Sequence, residues 1–204
     1  MDIKQKINDL QREAFNAISQ GKIDLAIATL REVLAIDPCC ELAWESLYIC
    51  YLENKNDIQS AYHVLETVYS LKPTDFKVLF RLGDFYLRIK NDPQKANEYY
   101  DSLLKYYPND ARTYHYIGGS LLSTDHPRAM AMLHHAIELD ESYILPYINL
   151  SFQYEKAGDY QKAYSLLKEG YLKGDRSETP GRGSWYAIKY HLERIEKIVK
   201  KQKV

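Results

Sequence analysis

Three prolines stand at a constant distance from one another, and this spacing is the strongest constraint on the fold of the chain. Pro38, Pro73 and Pro108 are separated by 35 and 35 residues. Each follows an apolar stretch, and proline ends a helix because it lacks a backbone N–H and its ring clashes with the preceding turn. A fixed period of this length is typical of solenoids, in which each unit is a helix pair that packs on its neighbours.

Small and bulky residues keep the same period. Alanines recur at steps of 35, 35, 33 and 34 residues, and each opens a segment whose apolar residues are three to four positions apart. Bulky residues recur in the segments between them, each followed three positions later by an aliphatic residue, which is the spacing of one helical face. The alanines are Ala26, Ala61, Ala96, Ala129 and Ala163, and the bulky residues are Trp44, Leu79, Tyr114 and Tyr147.

Four segments match this pattern best: WESLYICY, LFRLGDFY, YHYIGGSL and YINLSFQY. They resemble the first helix of the tetratricopeptide repeat, which reads W-x-x-L-G-x-x-Y, and the alanine segments resemble its second helix. Gly83, Gly118 and Ser151 stand at the small position of the signature, whereas Tyr48 breaks it. The resemblance implies an all-α fold, a right-handed α-solenoid of about five helix pairs with a C-terminal capping helix.

The resemblance divides the chain into a solenoid over residues 1–174, a loop over 175–183 and a capping helix over 184–204. Repeats two and three gain one residue in the turns NKNDIQS and IKNDPQK, and repeat four is one residue short at STDHPR. Loops absorb such changes at little cost, so the period is not disturbed. The predicted repeats span residues 4–40, 41–75, 76–110, 111–143 and 144–174.

In tetratricopeptide repeats the first helices line a concave groove, so the resemblance implies a binding surface there. Aromatic side chains and arginines suit a peptide with apolar anchors and some acidic groups. Two alternatives stay open: Phe80, Tyr116 and Phe152 could instead pack between adjacent repeats, and Lys77 and Arg81 could form a solvated helix face. The candidate groove residues are Phe15, Ile49, Lys77, Phe80, Arg81, Asp84, Arg88, Arg112, His115, Tyr116, Asn149 and Phe152.

Composition argues against several other classes. A formal net charge of −1 gives no general attraction to nucleic acid or anionic lipid, and no apolar run is long enough to span a bilayer. The first 20 residues lack the apolar core of a signal peptide, and three cysteines, Cys39, Cys40 and Cys50, do not suit a disulfide framework. No metal-ligand, nucleophile or phosphate-loop motif is present, so we expect a cytoplasmic, non-enzymatic protein without metal or cofactor.

The sequence therefore predicts a protein–protein interaction module, such as an adaptor, a scaffold or a chaperone-like protein, that binds a peptide or helical segment of a partner. A second hypothesis is a structural protein that forms a homo-oligomer, either because its repeats stack end to end or because it dimerises through its capping helix. A more distant third is nucleic-acid binding through the C-terminal lysines Lys197, Lys200, Lys201 and Lys203, although lysines on a terminal helix usually serve solubility.

Overall fold

Helices account for all the regular secondary structure in the part of the chain that the structure describes, which is residues 2–175 and 184–201 of a computed structural model. This confirms the predicted all-α fold of successive helix pairs followed by one last helix. The predicted loop over 175–183 lies outside the described residues except for Asp175. The helices are α1 (Ile3–Ser19), α2 (Ile23–Ile36), α3 (Glu41–Ile49), α4 (Ile58–Leu71), α5 (Phe76–Arg88), α6 (Pro93–Tyr106), α7 (Ala111–Leu121), α8 (His126–Leu139), α9 (Ile144–Lys156), α10 (Tyr160–Lys173) and α11 (Ser184–Lys201).

The chain divides into two compact units, residues 1–102 and residues 103–204, and α6 contributes to both. In unit 1, α1 packs on α2, α2 on α3, α3 on α4 and α4 on α5. In unit 2, α7 packs on α8, α8 on α9 and α9 on α10, while α11 lies against α10 and α9. Within each unit, consecutive helices in the chain are therefore neighbours in space.

Aspartate side chains define where most helices begin. The side chain of Asp75 accepts hydrogen bonds from the backbone N–H groups of Lys77 and Val78, which have no partner within the helix itself. Aspartate is among the best N-cap residues because its short side chain reaches these groups. The same arrangement begins α1, α4, α7, α8 and α10, at Asp2, Asp57, Asp110, Asp125 and Asp159.

The turn inside each helix pair shows how the chain accommodates its uneven repeat lengths. In every pair, the N–H of the residue before the second helix donates to a carbonyl of the first helix. The donor lies five residues after the acceptor in pairs one and five, six residues after it in pairs two and three, and four in pair four. These bonds are Lys22 to Ala17, Asp57 to Tyr51, Asp92 to Tyr86, Asp125 to Leu121 and Asp159 to Tyr154.

The longer turns need one residue in the left-handed region. Gly21 and Gly158 have φ of 71° and 79°, and Asn56 and Asn91 take the same place with φ of 52°. Glycine enters this region without steric cost and asparagine tolerates it better than other side chains. The α3 segment is irregular in addition, because it continues into a π-helical turn over Cys50–Asn54.

The core consists of the residues that set the period. All five repeated alanines are fully buried, as are Trp44, Leu79 and Tyr147. At Gly83 an added Cβ would lie 2.4 Å from a ring carbon of Tyr100, and at Gly118 it would lie 3.0 Å from both Ala129 O and Leu133 Cγ. The small residues of the first helices are therefore required by the close approach of the second helix of the same pair.

Candidate functional site

The predicted basic residues of α5 are paired with carboxylates of α3. Lys77 Nζ lies 2.5 Å from Glu41 Oε1 and 3.5 Å from Glu45 Oε2, and Arg81 Nη2 lies 3.1 Å from Glu45 Oε1. The hydrogen bond from Lys77 to Glu41 raises the pKa of the lysine. Sequence reasoning singled out the two bases and missed the two acids one repeat earlier, which stand 36 positions before their partners.

The two remaining charged candidates of α5, Asp84 and Arg88, form an ion pair with each other. Arg88 Nε lies 2.6 Å from Asp84 Oδ1 on the same helix. The face thus contains three acids, Glu41, Glu45 and Asp84, and three bases, Lys77, Arg81 and Arg88, whose formal charges sum to zero. Attraction of an acidic peptide by net charge is therefore absent from this part of unit 1.

The apolar candidates of unit 1 differ in exposure. Phe15 on α1 is 72% exposed, whereas Ile49 on α3 and Phe80 on α5 are partly buried. Beside them, the Arg81 guanidinium lies 5.8 Å from the ring centroid of Tyr48, and burial raises the pKa of Tyr48 to about 12. Phe15 is the candidate of this unit that offers most apolar surface to a ligand.

In unit 2, His115 connects α7 with α9. The Asn149 amide nitrogen lies 3.2 Å from His115 Nε2 and can only donate, so Nε2 accepts and Nδ1 carries the proton. His115 Nδ1 lies 2.9 Å from the Tyr143 hydroxyl oxygen, to which it donates. Burial lowers the pKa of His115 to about 4, which fits this neutral form. His115 and Asn149 therefore support the surface from within, since both ring nitrogens already have partners.

Contacts between α9 and α11 continue this surface. The Phe152 and His191 rings meet edge to face with centroids 4.6 Å apart. Arg194 binds Glu155 through both guanidinium nitrogens, with Nη1 2.6 Å from Oε1, and this hydrogen bonding lowers the pKa of Glu155. An open cavity of about 600 Å³ lies here, lined by Phe152, Glu155, Lys156, Tyr160, Tyr190, His191 and Arg194.

Exposed tyrosines stand on this same set of helices. Tyr116 on α7 is 39% exposed, and Tyr186 and Tyr190 on α11 are 56% and 66% exposed. The other predicted candidate of unit 2, Arg112, is held by the carboxylate of Asp110, with Nη2 2.6 Å from Oδ2. α7 and α11 therefore offer exposed aromatic surface.

The two α11 tyrosines are not among the predicted groove residues, because the sequence pattern assigns the groove to the first helices of five pairs and the last helix to the cap. Trp185, Ile188 and Leu192 repeat the spacing of the first-helix signature, with Lys189 at its small position. In that alignment Tyr186 corresponds to Phe80 and His115, and Tyr190 corresponds to Phe152. The signal was present in the sequence, since α11 has the pattern of a sixth first helix.

Other chemistry is not visible in the described residues. No group of three or more His, Cys, Asp or Glu residues within 2–175 and 184–201 could hold a metal ion. Over the same ranges no helix is both long and apolar enough to cross a bilayer. Among the C-terminal lysines, Lys200 pairs with Glu196 at 2.9 Å, and Lys203 lies outside the described residues.

Comparison with known proteins agrees with the helix pairs described above. The profile of the tetratricopeptide repeat family matches residues 77–110. Mouse tetratricopeptide repeat protein 21A is 27% identical over 153 residues, which are 75% of this chain and only 12% of that protein.

Two solved structures share the fold across nearly the whole chain. The thermophilic protein TTC0263 of Thermus thermophilus aligns with a TM-score of 0.63 at 15% identity, covering 93% of this chain and 98% of that one. PilW, a type IV pilus biogenesis factor, aligns with a TM-score of 0.60 at 19% identity, covering 96% and 92%. The chain is therefore similar to tetratricopeptide repeat proteins, in sequence over the matched repeat at residues 77–110 and in fold over most of its length.

Proposed function

We propose that the face formed by α7, α9 and α11 binds a segment of a partner polypeptide. The observation that carries this proposal is the exposure of Tyr116 on α7 and of Tyr186 and Tyr190 on α11, together with an open cavity lined by residues of α9, α10 and α11, of which Tyr190 is one. Tyrosine is enriched at protein interfaces because it brings a large contact area with few rotatable bonds to freeze. The chain acts as an interaction module and has no catalytic role in this proposal.

The chemistry of the cavity indicates which segment fits. Phe152 and Tyr190 supply aromatic walls for an apolar anchor side chain, and Lys156 and the Glu155–Arg194 pair supply a polar rim. An apolar anchor in a well-desolvated pocket with a polar rim is the arrangement in which few residues provide most of the binding free energy. The preferred segment therefore carries one aromatic or large aliphatic residue among polar ones.

The candidates of unit 1 form a separate surface, to which we assign a smaller role. Phe15 offers an additional apolar contact, and Phe80 a partial one. Lys77 and Arg81 can bind an acidic side chain of the partner only by exchanging their present carboxylates, so they contribute little net free energy. The unpaired thiols of Cys39, Cys40 and Cys50 support the proposed cytoplasmic location, where cysteines stay reduced.

Peptide selection on the full chain, followed by substitution, tests the proposal. Peptides are selected from a random display library, and their affinities are measured by calorimetry. We expect Tyr186→Ser with Tyr190→Ser to weaken binding by at least about thirtyfold, since the loss of even one anchor costs about 2 kcal/mol. The matched control is Tyr106→Ser, a tyrosine 47% exposed on the second helix α6. Equal effects of the double variant and the control would contradict the proposal.

A second candidate function is self-association through α11. The specific observation in its favour is that Tyr186 and Tyr190, one turn apart, leave an aromatic strip on the surface of the last helix. Sedimentation equilibrium over a range of concentrations measures it. A dimer that the Tyr186→Ser, Tyr190→Ser variant converts to monomer would support this function, and a monomer at every concentration would exclude it.

A further inference from the structure

A second cavity, in unit 1, is lined mainly by second helices. It lies between α2 and α4 and has a volume of about 430 Å³, within the range of small-molecule sites. Its aliphatic lining is formed by Leu34, Leu47, Val64, Val68 and Leu71, and polar groups of Gln59, Ser60, His63 and Thr67 complete the α4 side. It contains none of the groove residues predicted from the sequence, and the proposed function does not use it.

One cation stands at the edge of this cavity. Arg31 Nη2 donates to the Tyr51 hydroxyl oxygen at 2.5 Å, and the guanidinium carbon lies 5.8 Å from the centroid of the Tyr51 ring. No acidic side chain among the described residues forms an ion pair with Arg31. Arg81, Arg88 and Arg194 each have such a partner. Arg31 is therefore a positioned guanidinium whose charge is not balanced by a carboxylate.

The backbone that places Tyr51 is itself unusual. Tyr51 lies in the π-helical turn Cys50–Asn54, where the N–H of Lys55 donates to Cys50 O at 3.1 Å. π-helical turns are rare in proteins, and those that do occur are often found at functional sites. This turn contains Tyr51, whose hydroxyl oxygen accepts the hydrogen bond from Arg31. The irregular backbone and the arginine, which has no carboxylate partner in the described part of the chain, therefore both line the same cavity.

We propose that this cavity binds a small aliphatic monocarboxylate. The hydrocarbon chain of the ligand lies against Leu34, Val64 and Val68, where burial removes apolar surface from water. Its carboxylate accepts hydrogen bonds from the guanidinium of Arg31, which has the fork geometry that carboxylates match. Ser60 and Thr67 on α4 add hydroxyl groups to the lining.

Calorimetric titration of the full chain with decanoate tests this site. We expect saturable binding of one decanoate per chain, and weaker binding of decanol, which has the same chain length and no charge. Arg31→Leu should weaken decanoate binding by about tenfold to a hundredfold, because it removes a charge-assisted hydrogen bond. Arg12→Leu is the matched control, since Arg12 is an exposed arginine on α1 that pairs with Asp9.

A second variant separates loss of the site from loss of the fold. Thr67→Phe fills the cavity from an exposed position of α4 and leaves Arg31 in place. We expect it to abolish decanoate binding while the melting temperature stays near that of the wild type. Absence of saturable decanoate binding by the wild type, or equal affinity of the wild type and Arg31→Leu, would overturn the proposal.

Discussion

Single side chains of this protein are under unequal constraint, even where they look alike in the sequence. Gly83 and Gly119 both lie inside first helices, yet only Gly83 faces a ring at close range. An added Cβ at Gly83 would meet Tyr100 at 2.4 Å, whereas at Gly119 the nearest atom is Asn149 Nδ2 at 3.6 Å. The two positions therefore separate the effect of packing from the effect of helix propensity.

The two glycine-to-alanine variants should change stability in opposite directions. We expect Gly83→Ala to lower the free energy of unfolding by about 1–2 kcal/mol, because the buried ring of Tyr100 has to move. Gly119→Ala should raise it by up to about 1 kcal/mol, since alanine favours the helix and its methyl group fits. Urea unfolding followed by circular dichroism measures both changes, and a stabilising Gly83→Ala would show that Tyr100 moves freely.

His115 should make the protein sensitive to mild acid. Its pKa is lowered from 6.5 to about 4 by burial, so the unfolded chain binds the proton more tightly than the folded one. The stability that depends on neutral His115 is complete above pH 6.5 and is lost as the pH falls towards 4. We expect a loss of about 2 kcal/mol between about pH 7.5 and pH 5.

The substitution His115→Gln removes this titration and keeps a polar side chain at the site. Its unfolding free energy, measured at both pH values, should fall by about 2 kcal/mol less than that of the wild type. His63→Gln, at an exposed position of α4, serves as the control and should follow the wild type. If the wild type and His115→Gln lose the same free energy, the histidine is not held neutral by the fold.

Helices of this chain are stabilised mainly by the neighbours they bury, and α11 shows this most clearly. Ile188 and Ile195 are fully buried and Val199 is 6% exposed, all in the core cluster of unit 2 with Tyr147 and Leu167. The side chain of Ile188 also packs against Gly170 of α10, where an added Cβ would lie only 2.8 Å from Ile188 Cδ1. The last helix is therefore an integral part of the unit 2 core.

Truncation of a buried side chain in α11 should destabilise unit 2. We expect Ile195→Ala to lower the free energy of unfolding by about 2–4 kcal/mol, because it leaves a cavity in a packed core. Leu172→Ala, at a position of α10 that is 64% exposed, should change it by less than about 0.5 kcal/mol. Thermal melts of the two variants provide the comparison, and equal midpoints would show that α11 is not anchored by its core residues.

The order and type of the helices could be predicted from the sequence because two physical signals agree in each pair. Buried alanines mark the second helices, and prolines such as Pro38 mark their ends. The turns were also predictable in length, since an added or missing residue appears directly in the spacing. The π-helical turn after α3 was not predictable, because no residue in CYLEN requires it.

The candidate site was predictable only in part. Positions on the first helices follow from the period, so Tyr116 and Phe152 could be assigned to α7 and α9 from the sequence. The period does not predict which charged side chains form ion pairs between repeats. Glu45 and Arg81, for example, are paired although they are 36 positions apart in the sequence. The burial of His115 was missed for the same reason, since Tyr143 and Asn149 come from elsewhere in the chain.

Across the whole molecule, charge is balanced rather than patterned. Lysine and arginine number 27 against 28 aspartates and glutamates, and most ion pairs in the described residues join partly exposed side chains. Such pairs each contribute about 0–1 kcal/mol and are screened by salt. The fold therefore depends on buried apolar contacts more than on ion pairs.

Stability should accordingly depend little on ionic strength. We expect the free energy of unfolding at about pH 7 to change by less than about 1 kcal/mol between about 0.05 and 0.5 M NaCl. Urea titrations at the two salt concentrations measure this difference. A decrease of several kcal/mol at high salt would show that the ion pairs act as a cooperative network.

The exception at Tyr48 has a consequence for folding. A chain of similar hairpins is at risk of pairing the wrong ones, because one second helix resembles another. Tyr100 of α6 lies over the bare backbone at Gly83 of α5. The corresponding position of α3 carries Tyr48, whose side chain we expect to clash with such a ring. We therefore expect Tyr48 to disfavour mispaired hairpins during folding, because the second helix of another pair does not fit against α3.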